Sequence, residues 1–423
     1  MVFTHLLGPC CFIDGNNDIW QGCLIGSGVS GSEGRLSLKI AAPPWIPQSA
    51  QTRAVALEVL LHGPISRTDI AKRLDLSPGS LTRLSTPLIE SGLLVEIDSE
   101  DRTDTKTGRP SKPLDVVAGS RHFIGMKLTG EDVTAVVTDL KANVVAQGYR
   151  KLSSQAPATV VAQIASLASE LAEHVDEITA LGIGIGGLVN NKSEVLSAPF
   201  LGWENVALGS MVEGQAGIPT VVNNDVIAFT EAEHWFGAAS GLSKFAVITL
   251  GVGVGFGLVI HNQIVVDEDY GLGLVGHWPI DPFGPLCPSG HKGCARTMLT
   301  QSAIIQAVKN TLDREFSYEE ILQMAANGEP VSRRVVDDAG RGLGKLIAGV
   351  ANLTSPELII LGGEGVGLVE VASEAIQEGL KEGRDPRAKK IRFVTTSGDN
   401  TEWCRGAAVL AIQEYVLGSP YTN

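Results

Sequence analysis

Residues Ser66–Leu94, SRTDIAKRLDLSPGSLTRLSTPLIESGLL, decide the fold of the amino-terminal part of this chain. Their apolar residues recur at helical spacing, which predicts two helices that each bury one face. These residues are Ile70, Leu74, Leu81, Leu84, Leu88 and Leu93. Ser66 with Asp69 can cap the first helix, and Ser77 followed by Pro78 can cap the second. The stretch therefore predicts two helices joined by a tight turn.

With a preceding helix at about residues 52–61, this pattern is typical of a helix-turn-helix that binds DNA. A recognition helix presents the side chains near its start to base edges in the major groove. Here those side chains are Ser77, Ser80, Thr82 and Arg83. Pro87 removes the helical hydrogen bond to the carbonyl of Arg83, so we expect it to kink or shorten the helix. The alternative is a small helical domain that binds protein.

A β-wing is predicted after the helices, because residues 95–117 read as a strand, a polar tip and a second strand. In the tip, Arg109 could lie in a narrow minor groove or against phosphates. A solvated linker is the alternative. Residues 51–113 contain nine Lys plus Arg and nine Asp plus Glu, whereas the whole chain carries a net charge of −14. Non-specific DNA affinity should therefore be modest, and binding should need a homodimer.

The length of 423 residues suffices for more than one domain. No stretch reads as a membrane span, and residues 1–45 do not resemble a signal peptide. We expect residues 1–45 to form a poorly ordered extension. The six cysteines are scattered along the chain, which favours a reducing, cytoplasmic compartment.

From about Phe123 onward, strands alternate with helices, which predicts an α/β architecture. Strands run into glycine turns in ALGIGIGGLVN (residues 180–190), VITLGVGVGFGLVI (247–260) and ELIILGGEG (357–365). Helices are predicted at about 157–175 and 331–353. The recurrence of a strand followed by a glycine turn predicts two lobes with a cleft between them.

The order of these motifs over residues 50–420 resembles the ROK family, which groups sugar-responsive repressors with sugar kinases. The resemblance rests on the helix-turn-helix, GIGIGGLVN, the NND of Asn223–Asp225, LGVGVGFG, and GHWPIDPFGPLCPSGHKGC at residues 276–294. It implies a winged helix-turn-helix domain at 46–118. A two-lobed actin-like ATPase (sugar kinase) fold would follow at 119–423, as a sensor and dimerisation domain.

The phosphate-binding turn of the family kinases, Asp-x-Gly-Gly-Thr-Lys, is not matched. The matching positions are Lys127–Asp132, so Glu131 and Asp132 replace Thr and Lys, and their charge disfavours nucleotide binding. A second glycine-rich turn, 251–257, is present. The Asp that matches Asp225 is the catalytic base of the family kinases, a role that suits a carboxylate within reach of a hydroxyl. We predict that ATP phosphotransfer is lost.

The resemblance also implies a sugar pocket, in which Leu274 and Arg296 replace two glutamates of the family. The predicted ligand-binding groups are the backbone near Gly187 and the side chains of Asn224, Asp225, His277 and Arg296. Arg296 would suit an acidic or phosphorylated ligand. The alternative is a vestigial pocket.

A zinc site is the last implication of the resemblance. The family ligands map onto His277, Cys287, Ser289 and Cys294, and a serine hydroxyl is a poor zinc ligand. His291 could replace Ser289, which gives a predicted site of His277, Cys287, His291 and Cys294. Without metal, His277 would be a polar residue of the pocket wall, and the loop would be looser.

Together these observations predict a transcriptional regulator, a repressor, that binds operator DNA and senses a sugar or sugar derivative. One alternative is an ATP-dependent sugar kinase that retains a DNA-binding domain. Another is a ligand-blind repressor that a partner protein controls.

Overall fold

The computed structural model describes residues 49–97 and 112–418. The amino-terminal part is a winged helix-turn-helix built from α1 (Ala50–His62), α2 (Arg67–Arg73), α3 (Pro78–Glu90), β1 (Leu94–Glu96) and β2 (Leu114–Val116). The strands β1 and β2 pair antiparallel, so the predicted wing strands are confirmed. The predicted wing tip with Arg109, and residues 1–45, lie outside the described residues.

Both predicted helix caps are present. The Ser66 hydroxyl accepts a hydrogen bond from the backbone N–H of Asp69, and the Ser77 hydroxyl accepts one from that of Ser80, each at 3.1 Å. The expected shortening of α3 at Pro87 does not occur, because α3 continues to Glu90. Pro87 faces solvent while the following Leu88 is fully buried, so packing of the opposite face holds the last turn.

The larger part of the chain is a mixed α/β structure. Its strands are β3 (His122–Leu128), β4 (Asp132–Thr138), β5 (Val144–Lys151), β6 (Ile178–Ile185), β7 (Leu188–Asn190), β8 (Glu194–Ala198), β9 (Trp203–Val206), β10 (Thr220–Asn224), β11 (Lys244–Leu250), β12 (Val254–Ile260), β13 (Gln263–Ile264), β14 (Leu358–Gly362) and β15 (Phe393–Thr395). Its helices are α4 (Pro157–Ala172), α5 (Leu208–Ala216), α6 (Asp225–Trp235), α7 (Ala295–Leu299), α8 (Gln301–Leu312), α9 (Tyr318–Ala326), α10 (Pro330–Thr354), α11 (Leu368–Val371), α12 (Ser373–Glu382) and α13 (Asn400–Ile412).

Two five-stranded sheets repeat one topology, as expected for two lobes. The first has the order β10-β6-β3-β4-β5 and the second the order β13-β12-β11-β14-β15. In each, three consecutive strands pair antiparallel, and two later strands join in parallel. The parallel strand β6 is buried along its whole length, and apart from Thr179 its residues are apolar or glycine.

Helix α13 packs against the first sheet unusually closely. A Cβ atom on Gly125 or Gly182 would lie 1.9 Å from the carbonyl oxygen of Cys404 or Ala407, so only glycine fits at these two strand positions. The close approach brings Trp403 of α13 to the end of β3. Within the described ranges, no helix combines the length and the apolar character that crossing a bilayer requires.

Candidate functional site

The start of α3 presents the predicted DNA-contacting side chains in different ways. Ser77 is exposed and Ser80 half-buried, and their hydroxyls lie 2.9 Å apart at the cap. The Thr82 hydroxyl donates to the carbonyl of Pro78 at 3.0 Å. Arg83 is exposed, and its guanidinium makes no hydrogen bond or ion pair with another residue of the described ranges. Arg83 is therefore the side chain of this group that is fully available to an outside ligand.

In the kinase-like part, Asp225 forms a buried ion pair with Lys127. Asp225 is the first residue of α6, and Lys127 lies near the end of β3. The Lys127 ammonium donates to the Asp225 carboxylate, and 7% and 13% of the two side chains are exposed. The same ammonium lies 3.8 Å from the centroid of the Trp403 ring. The carboxylate at the position of the family base is thus already bound by a cation of this chain.

Asn224 and Gly187 lie beside this pair and contact each other. The Asn224 side-chain oxygen accepts from the backbone N–H groups of Val226 and Ile227 and so caps α6, while its amide nitrogen donates to the Gly187 carbonyl at 2.9 Å. Gly187 has a φ of +151°, and a Cβ there would lie 2.2 Å from the Ser197 carbonyl oxygen. The structure therefore brings Gly187, Asn224 and Asp225 together, with the polar atoms of Asn224 engaged in the fold.

Carboxylates lie at both turns that correspond to nucleotide contacts in the family kinases. At the β3–β4 turn, Asp132 accepts a hydrogen bond from the Thr129 hydroxyl at 2.8 Å. At the second glycine-rich turn, a Cβ on Gly251 would lie 2.3 Å from a carboxylate oxygen of Glu364, so this acidic side chain covers the turn. Negative charge at these positions opposes the binding of a phosphate chain.

A cluster of three potential metal ligands lies in the loop between β13 and α7. The Nδ1 atoms of His277 and His291 are 3.0 Å apart, and the Cys287 Sγ lies 3.7 Å and 3.5 Å from them, respectively. Zinc bonds of about 2.0 to 2.3 Å in a tetrahedron separate neighbouring ligand atoms by about 3.3 to 3.8 Å. The three atoms are therefore arranged closely enough for one ion to bind them all.

The loop backbone builds this cluster. The N–H of Cys287 donates to the carbonyl of His291 at 2.8 Å, which closes a tight turn between the two residues. Burial opposes ionisation of the Cys287 thiol, but hydrogen bonds from the backbone of His291 and Ser289 outweigh it and lower the pKa of Cys287 to about 7. Burial, then the nearby His291 and Arg296, lower the pKa of His277. A thiolate and a neutral imidazole are the forms that bind zinc.

The remaining predicted residues lie at the border of this cluster. Cys294 is buried next to Cys287, but its Sγ does not belong to the group of three close ligand atoms and lies 3.9 Å from the Thr297 hydroxyl. Arg296, on α7, is exposed, and its side chain makes no hydrogen bond or ion pair with the described part of the chain. Leu274, which replaces a family glutamate, is 57% exposed.

The sequence reasoning missed three residues of this region: Lys127 as a partner of Asp225, Trp403 and Glu364. The signal for Lys127 was available, because a positive residue stands where the family kinases have an aspartate that faces the same cleft. Trp403 and Glu364 belong to distant segments, and the sequence offers no signal that places them here.

A two-lobed kinase-like domain that carries a winged helix is the architecture of a sugar-responsive DNA-binding regulator. Residues 123–414 match the ROK family, and the chain belongs to it.

The similar proteins include both branches of this family. The N-acetylglucosamine repressor of Escherichia coli O157:H7 is 29% identical over 72% of this chain and 77% of its own length. The crystal structure of a ROK family transcriptional regulator, described as a homolog of E. coli Mlc, is 28% identical, with a TM-score of 0.75 over 86% of this chain and 96% of that chain. A ROK glucokinase from Streptomyces griseus, solved with glucose and AMPPNP, is 26% identical, with a TM-score of 0.61 over 69% of this chain and 99% of that chain.

The difference in coverage separates the two branches. The match to the regulator extends over more of this chain than the match to the glucokinase, although each covers nearly all of the other protein. The comparisons therefore favour the predicted DNA-binding repressor over the alternative of a sugar kinase.

Proposed function

We propose that this chain is a sequence-specific transcriptional repressor that senses a carbohydrate in its kinase-like part and has lost ATP phosphotransfer. The observation that carries the proposal is the buried ion pair of Lys127 with Asp225. A general base must accept a proton from the sugar hydroxyl. The Lys127 ammonium already binds the Asp225 carboxylate, so it has to move away before a sugar hydroxyl can take its place.

The DNA-binding part is assigned to residues 46–118 and the sensor to residues 119–423. Ser77, Ser80, Thr82 and Arg83 contact the operator from α3, and Arg109 contacts it from the wing. A homodimer presents two recognition helices to two half-sites, which compensates for the neutral charge balance of each DNA-binding domain. The protein acts in the cytoplasm, where its operator is.

The sensing site comprises the cleft around Asp225 and the neighbouring metal cluster. Its ligand-binding groups are Gly187, Asn224, Asp225, His277 and Arg296. The cluster of His277, Cys287 and His291 holds zinc, with Cys294 as the fourth ligand. A bound zinc ion supplies structural order to the loop that carries His277 and Arg296. Ligand binding changes DNA affinity by favouring one arrangement of the two DNA-binding domains.

Fluorescence anisotropy with the upstream DNA of the gene tests the proposal. The purified chain is titrated onto labelled DNA at fixed salt, with and without N-acetylglucosamine, glucose and their 6-phosphates. We expect one compound to shift the binding curve, and a coupled ATP assay with the same sugars to show no turnover above background. Turnover would establish the kinase alternative. DNA binding that no compound shifts would support a ligand-blind repressor, and absence of DNA binding would contradict the proposal.

A further inference from the structure

Phe200, in the turn between β8 and β9, exposes an aromatic ring beside the cleft around Asp225. The residue is 48% exposed, although phenylalanine is among the residues that proteins bury most often. A single exposed apolar side chain is ordinary and carries no functional meaning by itself. The position of this ring above the floor of the cleft, and the support of its turn, distinguish it from such a side chain.

Gly186, which follows β6, forms the floor of the cleft at this point. A Cβ atom on Gly186 would lie 3.6 Å from the Oδ2 atom of Asp225, and 3.7 Å and 3.8 Å from the Cδ2 and Cε2 atoms of Phe200. These are ordinary van der Waals distances, so the carboxylate and the aromatic ring border the same space above the glycine. A ligand that fills this space contacts both of them.

The backbone of Phe200 is held in place by its own turn and by a neighbouring one. The N–H of Leu201 donates to the carbonyl of Ala198 at 3.0 Å. The amide nitrogen of Gln155 donates to the carbonyl of Gly130 at 2.7 Å and to that of Phe200 at 3.4 Å. A Cβ on Gly130 would lie 2.6 Å from the Phe200 carbonyl oxygen, so glycine lets the two turns approach each other. The ring is therefore presented from a preorganised turn, which lowers the entropy cost of binding.

An aromatic ring next to a carboxylate suits a cyclic sugar. The hydroxyl groups of a pyranose donate and accept hydrogen bonds, whereas its ring C–H groups form an apolar face that can pack against an aromatic ring. Ligand sites typically combine aromatic side chains with a few polar groups that fix the orientation of the ligand. The open-chain polyol that corresponds to the sugar has comparable hydroxyl groups but no rigid apolar face.

We infer that Phe200 is a specificity-determining residue of the sensing site, on which a pyranose ring packs, and that it makes the site select a cyclic sugar over the corresponding open-chain polyol. The inference rests on the proposed function, because it places the sugar in the Asp225 cleft. It adds a class of ligand, the pyranoses, and a residue outside the set that the resemblance implies.

Isothermal titration calorimetry of the full chain tests the inference. The ligands are glucose and N-acetylglucosamine, each compared with its reduced open-chain form, glucitol and N-acetylglucosaminitol. We expect the unmodified chain to bind one of the sugars more tightly than its polyol. Phe200→Ala should weaken binding of that sugar about tenfold and affect the polyol less, so the preference falls. Phe200→Tyr retains a ring and should stay within about threefold of the unmodified chain.

Val145→Ala is the control. Val145 is 49% exposed on β5, near the end of the first sheet that lies opposite Lys127. This substitution also removes exposed apolar atoms, and it should change neither the sugar affinity nor the preference over the polyol. In operator binding, the sugar concentration that gives half of the maximal shift should rise about tenfold in Phe200→Ala and remain unchanged in Val145→Ala.

The outcomes separate the inference from the proposed function. Unchanged sugar affinity in Phe200→Ala would overturn the inference and leave the proposed function intact. Equal losses for the sugar and its polyol would also overturn it, because a platform for the ring face has to favour the cyclic form. If Phe200→Ala does not fold, Phe200→Leu, which keeps most of the apolar volume, has to lower the preference instead. An unmodified chain that binds neither sugar would overturn both the inference and the proposed sensing of a sugar.

Discussion

The start of α3 and the cleft around Asp225 both contain charged residues, but these residues differ in whether they have partners within the chain. On α3, Arg83 projects into solvent without a partner in the described residues. In the cleft, Asp225 is bound by Lys127 and Asn224 by Gly187. A side chain without an internal partner is available for an outside ligand, whereas an internally paired one first has to break its contact. The exposed side chain on α3 fits the proposed recognition of DNA, and the pairing in the cleft fits a structural role for Lys127 and Asp225.

This contrast makes opposite predictions for the two cations. Removing Lys127 should affect the stability of the protein strongly and DNA binding only through folding. Removing Arg83 should affect DNA affinity and leave stability almost unchanged. Of the following tests, the first three examine the cleft and the neighbouring metal cluster, and the last two examine α3.

Lys127→Met should have the largest effect. It leaves the buried Asp225 carboxylate without its cation, and loss of one partner of a buried pair costs about 3 to 5 kcal/mol. Urea unfolding measures this change. The double variant Lys127→Met, Asp225→Asn should regain part of the loss, because no uncompensated charge remains. Lys390→Met, at an exposed position, is the control and should change the unfolding free energy by less than about 0.5 kcal/mol. Equal effects of the two lysine variants would show that the ion pair does not support the fold.

Metal removal should have the next largest effect. If one zinc binds His277, Cys287 and His291, free zinc at about 100 times its dissociation constant adds about 2.7 kcal/mol to the stability of the folded chain. A chelator should remove one zinc per chain and lower the melting temperature. Cys287→Ala should abolish zinc binding in elemental analysis. Retention of the full zinc content in that variant would contradict the site.

Cys294→Ser distinguishes a zinc site in which Cys294 is the fourth ligand from one in which water is the fourth ligand. If Cys294 is the fourth ligand, the substitution should lower zinc affinity strongly, because a hydroxyl is a poor ligand for zinc. If water completes the coordination, zinc affinity should remain close to that of the unmodified chain. Titration with a zinc-binding dye measures the zinc affinity of Cys294→Ser, of Cys287→Ala and of the unmodified chain.

Arg83→Ala tests the prediction that α3 binds DNA. If Arg83 contacts a base, affinity for the operator should fall by about 1 to 3 kcal/mol, while non-specific binding changes less. Equal losses on both DNAs would assign Arg83 to phosphate contact instead. Arg392→Ala removes the same charge at an exposed position close to β15 and should change neither affinity nor the unfolding free energy appreciably.

The same contrast explains what could be predicted from the sequence. The caps at Ser66 and Ser77 depend on residues three positions apart, and the helices depend on local periodicity, so both were predicted and are confirmed. The two lobes followed from recurring strands and glycine turns. In each case, the determining interactions lie within one short stretch of chain.

The ion pair in the cleft could not be predicted in this way. Lys127 and Asp225 are 98 residues apart, and their contact depends on how β3 and α6 meet. The comparison with the kinase motif identified Lys127 only as a missing aspartate. A cavity lined by Asn223, Ile264 and Gln413 is even harder to predict from the sequence, because segments far apart in the chain form it. Sequence motifs identify the residues of a site, but pairing between them depends on tertiary packing.

Substitutions of Ser77 should have the smallest effects. They are nevertheless informative, because they separate a role in stabilising the fold from a role in binding DNA. Its hydroxyl caps α3, and it is also exposed where DNA would bind. Ser77→Ala should lower the unfolding free energy by about 1 kcal/mol, whereas Ser77→Gly should lower it by only a few tenths, because glycine is accepted at this cap position. If Ser77 also contacts DNA, both variants should lose operator affinity to a similar extent. If its role is the cap alone, Ser77→Gly should bind the operator like the unmodified chain, and the DNA contacts of α3 would then begin at Ser80.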